Sequence, residues 1–216
     1  MKKVLSIMLV LCVAASLFAV GSVRVGAAFD FVSGKTPDFK RNETVLNNSA
    51  RQYKTSGIGF DVSAKYDLSS DLSVFADFNM TFNFDFKVKR ATSEDWYSFK
   101  DKSDKTLNSL SVAAGVAYKL PLANAPVKVS VGGGLFFERV LAKEKYISFN
   151  FRHIGLTAYA DVTYMINDKI GVGVTAMPRI GLFDIDDGTE ALVPVKSTGF
   201  AFSFGMPVSV GASYSF

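Results

Sequence analysis

Apolar residues occupy every second position over stretch after stretch of this chain, and four of those stretches close on one signature. An apolar residue, a spacer, a tyrosine, a spacer and an apolar residue recur as Ala64-x-Tyr66-x-Leu68, Val116-x-Tyr118-x-Leu120, Val162-x-Tyr164-x-Ile166 and Ala212-x-Tyr214-x-Phe216. A spacing of roughly fifty residues is compatible with repeat architectures, but a strict period of two describes β-strands and excludes amphipathic helices. Tyrosines at one end of alternate strands predict an aromatic girdle at a membrane–water boundary, made of Tyr66, Tyr118, Tyr164 and Tyr214.

The alternation predicts eight strands, each with the roughly 9–11 residues that a tilted strand needs to cross hydrocarbon. The second places Ile58, Phe60, Val62, Ala64 and Tyr66 on one face, with Asp61 and Lys65 on the other. The third reads as apolar from Leu72 through Phe78, Phe82, Phe84, Phe86 and Val88, opposite Asp77 and Lys87. The seventh has Ile170, Val172, Val174, Ile180 and Leu182 against Gly171, Gly173 and Arg179, and the eighth runs from Phe200 to Phe216. A soluble sandwich also alternates, so the connections matter. Three are short (69–71, 121–126 and 167–169) and four are long and polar (around 33–54, 91–105, 140–151 and 184–198). Short turns at one end and long loops at the other describe an outer-membrane barrel. Phe29, Phe31, Phe84, Phe86, Phe137, Phe200 and Phe202 cluster toward the long-loop end as a second girdle. The charged face, unsuited to lipid, becomes a lumen in which Asp61, Lys65, Asp77, Lys119, Asp161 and Arg179 form a polar network. Closure also removes the sheet edges that lipid does not tolerate.

Composition agrees. The chain has 20 phenylalanines and 17 glycines, yet after residue 21 it has no run of the roughly 18 apolar residues that a membrane helix requires. Lys2 and Lys3, the apolar stretch to Val20 and small residues after it predict a signal peptide over 1–21, cleaved between 19 and 22, and a barrel over 22–216. Cys12 follows the bulky Leu11 inside that stretch, which argues against lipidation, and the mature chain has no thiol chemistry. Without Lys2 and Lys3 the formal charge falls from +4 to about +2, too little to suggest a nucleic-acid partner.

On these residues the chain resembles the small eight-stranded bacterial outer-membrane barrels of the OmpX, OmpA transmembrane-domain and OmpW types. The last strand, with Val208, Val210, Ala212, Tyr214 and Phe216 stepping back from a C-terminal aromatic, is its most specific element. In that class such a strand is the recognition signal for the barrel-assembly machinery, so the resemblance implies that role for Phe216, Tyr214 and Val210. It also implies an outer-membrane location, with termini periplasmic and long loops extracellular, and surrounding outer-membrane lipid as a partner.

Several features suggest sites. Gly171 to Ala176 matches a dinucleotide fingerprint in letters, but the alternation runs through it and no helix is expected to follow. Gly132-Gly133-Gly134 predicts a bulge or kink, or a thinned wall. Pro178 and Pro207 each remove a ladder donor from neighbouring strands, and a gap between those strands would make a lateral exit. Phe75, Phe136, Tyr159 and Met177 point inward against the pattern and are expected to plug a lumen just wide enough for side chains. His153, the sole histidine, reads as a lumen residue bonded to a carboxylate; no catalytic residue, cofactor or metal site is expected, and the protein reads as a non-enzyme. Two functions fit: a narrow conduit for small hydrophobic molecules, as the OmpW type implies, or a closed barrel whose loops bind extracellular partners, as the OmpX type implies.

Overall fold

Each alternating segment is a strand, and the strands close on themselves. The structure, a computed structural model, describes residues 21–38, 40–41, 44–45, 49–90, 93–98, 106–122, 125–144, 147–190 and 193–216. The signal peptide expected over 1–21 and Cys12 lie outside these residues, except that Gly21 opens the first strand. The barrel strands are β1 (Gly21–Lys35), β2 (Arg51–Asp67), β3 (Leu72–Arg90), β4 (Thr106–Leu120), β5 (Val127–Glu144), β6 (Ile147–Met165), β7 (Ile170–Ala176), β8 (Arg179–Glu190), β9 (Val193–Gly205) and β10 (Val208–Ser215). Because β7–β8 and β9–β10 are each one wall interrupted at a proline, the ten strands build eight staves. Every neighbour is antiparallel, and β1 closes the ring against β10 from Ser22↔Ser215 to Phe29↔Val208 and against β9 from Val32↔Gly205 to Gly34↔Ser203.

The short-turn end is held by side chains that copy backbone turns. Ser69 Oγ accepts the Asp71 and Leu72 N–H groups, and Asn167 Oδ1 accepts those of Lys169 and Ile170. Just above these turns Tyr66, Tyr118, Tyr164 and Tyr214 face outward and exposed. On β6 the outward row from Tyr164 to Ile154 is apolar throughout, and ten residue steps of a tilted strand cover about 25 Å, the height of a hydrocarbon belt. At the far edge Phe29, Phe31, Phe84, Phe137, Phe200 and Phe202 are exposed as the second girdle requires.

Above that edge the polarity inverts. Outward positions become Lys54, Lys87, Arg139, Arg152 and Lys196, while inward positions become Val32, Tyr53, Phe86, Val88, Val140, Ala142, Phe149, Phe151 and Val195, one buried apolar cluster. The ladders continue through this change. Two of the expected long loops, 140–151 and 184–198, are therefore mostly strand: β5 pairs with β6 up to Glu144↔Ile147, and β8 with β9 up to Glu190↔Val193. Their outward faces are polar because they belong to a zone that projects beyond hydrocarbon, where water and not lipid faces the wall.

Phe86 was expected in the outer girdle and is instead fully buried in the lumen, with Val88 beside it. The β2–β3 register slips between Ser56 and Gly57, which pair with Asp85 and Asn83, so Phe84 is an extra residue in β3. One inserted residue transfers everything after it to the other face. A second slip, between Gly181 and Phe183, turns Asp184 and Asp186 inward. Gly132-Gly133-Gly134 shows the reverse: the β4–β5 and β5–β6 ladders pass through it without any shift, so the expected bulge is absent.

Candidate functional site

The lumen is layered. Nearest the short turns, Asp161 accepts bonds from Arg24 Nη1 (2.5 Å), Lys65 Nζ (3.0 Å), Thr163 Oγ1 (3.0 Å) and Thr175 Oγ1 (2.9 Å). Arg24 also reaches Ser209, whose hydroxyl donates to Asp61 at 3.1 Å. Below this layer a vestibule of about 610 Å³ opens at the short-turn end, lined in part by Lys65, Asp67, Lys119 and Lys128.

Above it lies the plug expected from the sequence. Phe75, Phe136, Tyr159 and Met177 are buried together with Ala113 and Ala117. Phe75 and Tyr159 stack with centroids 4.4 Å apart, Lys65 Nζ sits 5.7 Å above the Tyr159 ring, and the Arg179 guanidinium lies 5.6 Å from the Phe136 ring. The register explains why large residues fit: Tyr159 is opposite Gly132, Gly132 opposite Ala117, and Phe75 opposite Gly115, itself opposite Gly134. The glycine run makes room for the plug.

A second charged layer follows, centred on Arg179, which donates to Glu138 Oε1 at 3.2 Å and lies 3.7 Å from Asp77 Oδ1. The network read from the sequence has two hubs, Asp161 with Lys65 and Arg179 with Asp77, joined along one wall by Arg24, Ser209 and Asp61. Lys119 belongs to neither; it pairs with Asp67 at 2.6 Å near the mouth. Arg24, Glu138 and Ser209 alternate with outward apolar residues on their strands, but only closure of the ring shows that they complete the hubs. His153 bonds the Asp184 carboxylate through Nδ1 (2.8 Å) and Tyr53 Oη through Nε2 (2.5 Å). Ser148, close to His153 in sequence, sits at an even position of β6, the outward row.

The wall is not uniform. The two prolines interrupt their staves at one level, but the seam is bridged: Met177 N–H donates to Pro207 C=O at 3.0 Å, and the β8–β9 ladder resumes at Arg179↔Gly205. The gap expected between the seventh and eighth staves is therefore filled. One opening among the described residues lies one stave over. Above Gly34↔Ser203 β1 leaves β9, and the ladder on that side resumes only at Lys196↔Lys40, although Pro37 lies beside Gly199 and accepts a bond from Ser197 Oγ at 3.1 Å. Along this interval Phe200 and Phe202 are 87% and 75% exposed. A notch of about 750 Å³ occupies the space; its lining runs from outward-facing Phe31, Ile180, Phe202 and Phe204 to the lumen residues Tyr53 and Ser203, and includes Trp96 and the polar Lys35, Gln52 and Lys54. Tyr53 belongs at once to this notch and to the upper apolar cluster, stacking on Phe151 at 4.4 Å. A further hollow of about 320 Å³ at the long-loop end reaches the same cluster at Val88 and Phe149.

At the C-terminus Val210, Tyr214 and Phe216 all face outward, and the Phe216 N–H donates to Gly21 C=O at 3.0 Å, so the last residue is held against the first strand. Trp96, from the long connection after β3, is bracketed by Lys54 and Lys89 at 4.5 and 5.1 Å from its ring; Phe99 lies outside the described residues.

No protein-family model matches this chain, and no curated protein sequence matches it. Solved structures do. The outer membrane protein OprG from Pseudomonas aeruginosa superposes with a TM-score of 0.62 at 11% identity, over 92% of this chain and 97% of OprG. The outer membrane protein AlkL, determined in lipid bilayers, superposes with a TM-score of 0.51 at 16% identity, over 92% of each chain. The fold is that of the small outer-membrane β-barrels, an all-β antiparallel ring of eight staves.

Proposed function

We propose that this is an integral outer-membrane protein that passes small hydrophobic molecules sideways from its lumen into the bilayer, the short-turn end facing the periplasm. The notch carries the reading: a break between β1 and β9 at the level of the outer phenylalanine girdle, lined by Phe31, Phe202 and Phe204 and by Tyr53 and Trp96, with Lys35, Gln52 and Lys54 at its rim. An unpaired strand edge is unfavourable against lipid, so its retention beside a buried apolar cluster suits a route for molecules that are themselves apolar. The plug and both charged hubs close the direct path below, which argues against an aqueous pore. The route runs from the hollow at Val88 and Phe149, through the apolar cluster, past Tyr53 and out between β1 and β9. Pro178 and Pro207 mark its lower edge.

Uptake of a small apolar tracer by cells tests this reading. Filling the notch with Ser203→Trp is expected to reduce uptake at least tenfold while the barrel still assembles. Equal uptake by wild type, the filled variant and a deletion strain would overturn it.

The second reading is a closed barrel whose loops bind an extracellular partner. Trp96 between Lys54 and Lys89 favours it, as an exposed aromatic framed by cations. Loss of cell-surface adhesion on Trp96→Ala, with tracer uptake absent from wild type, would select it. Assembly by the barrel machinery through Phe216 belongs to both readings.

A further inference from the structure

We propose that His153, Asp184 and Asp186 form a binding site for one divalent transition-metal ion of the zinc class, in the lumen toward its long-loop end. The register builds it. His153 on β6 is directly opposite Asp184 on β8, and Asp186 stands two residues along the same inward face. One donor atom from each residue lies within 4.8 Å of the other two, an imidazole nitrogen and two carboxylate oxygens.

The carboxylates are short of partners. Asp184 and Asp186 are buried to 0% and 1% exposure, and the Oδ2 atom of each makes no hydrogen bond. Asp186 Oδ1 accepts only the Arg152 main-chain N–H. Among the described residues no lysine or arginine side chain bonds either one: the Arg152 guanidinium pairs with Asp187, and Arg179 turns to Glu138 and Asp77. Two carboxylates facing one imidazole are costly to bury, and a divalent cation offsets that charge.

The histidine is already aimed. Its Nε2 is held by Tyr53 Oη, which leaves Nδ1 turned toward Asp184. A metal-ligating histidine commonly donates its other ring N–H to an oxygen, and Tyr53 Oη occupies that position. With metal–ligand bonds of about 2.0–2.1 Å, tetrahedral ligand atoms stand about 3.3 Å apart. Nδ1 and Asp184 Oδ1, now 2.8 Å apart, need to open only slightly to admit the ion. One nitrogen with carboxylates suits zinc, cobalt or manganese over calcium and magnesium, which take oxygen alone. The bound ion would tie β6 to β8 and fix the ring that holds Tyr53 beside the notch.

The test uses the folded barrel in lipid vesicles, stripped with a chelator and titrated with Zn²⁺ by calorimetry, with metal content read by mass spectrometry. One equivalent is expected in wild type, uncompeted by millimolar Ca²⁺, with affinity about tenfold or more lower in Asp186→Asn and His153→Gln variants that keep the gel shift of a folded barrel. No stoichiometric Zn²⁺ in wild type would overturn the site, as would wild-type affinity in both folded variants. Should neither variant assemble, Co²⁺ loading of wild type decides: a visible absorption band from nitrogen and oxygen ligands supports the site, and its absence rejects it.

Discussion

Arg179 has no exposure to solvent and bonds Glu138 while facing Asp77, in a layer that also contains the buried Asp30. Removing one partner of such a group strands the others. Arg179→Met is expected to destabilise the barrel by about 3 kcal/mol, measured by urea unfolding in lipid vesicles; an unchanged midpoint would show that the hub contributes nothing to stability. Glycines make a second residue-scale argument. A Cβ on Gly132 or Gly134 would run into the main chain of β4, whereas one on Gly133 would meet only the Thr157 carbonyl, at 3.1 Å. Gly134→Val is therefore expected to abolish assembly and Gly133→Val to permit it, as read by the heat-dependent shift of barrels on gels. Equal behaviour of the two would contradict the packing described for the plug.

At the level of strands, β3 shows how one residue sets a face. Phe84 is the insertion that sends Phe86 and Val88 inward to meet Tyr53 and Phe151. Deleting Phe84 removes the slip and leaves both residues inward under strict alternation, whereas inserting one alanine between Asp85 and Phe86 turns both outward. The insertion is expected to destabilise by at least about 3 kcal/mol, on the scale of removing large core side chains, and the deletion by much less. Equal unfolding midpoints would mean that the upper cluster does not depend on which way Phe86 and Val88 face. The periodicity around Phe84 runs on unbroken in the sequence, so alternation assigned Phe86 to the lipid face. A bulge is a property of pairing with β2, and β3 alone carries no mark of it. The upper parts of the hairpins β5–β6 and β8–β9 are illegible in the sequence for a related reason: their pattern inverts to apolar inside and polar outside, which in isolation reads as loop.

For the whole molecule, the plug between two charged hubs implies a barrel that does not conduct ions. Wild type in planar bilayers is expected to show no steady conductance, and Phe75→Ala with Tyr159→Ala to open measurable ion flow through the Gly-lined gap. Conductance in wild type, or none in the double variant, would show that the lumen is gated elsewhere.

Much of this protein is determined by its sequence alone, because hydrophobic alternation is a local response to two different environments. Eight staves, the tyrosine girdle, the inward plug of Phe75, Phe136, Tyr159 and Met177, and the inward placement of His153 all follow from which residues can face lipid and which cannot. What only the tertiary structure decides is where staves meet and where they part. The slips at Phe84 and at Gly181–Phe183, the division of the charges into two hubs, the bridged proline seam and the notch between β1 and β9 depend on contacts between residues up to 185 positions apart, as Arg24 and Ser209 are. Such contacts are set by ring closure and register, and the period of a single strand carries neither.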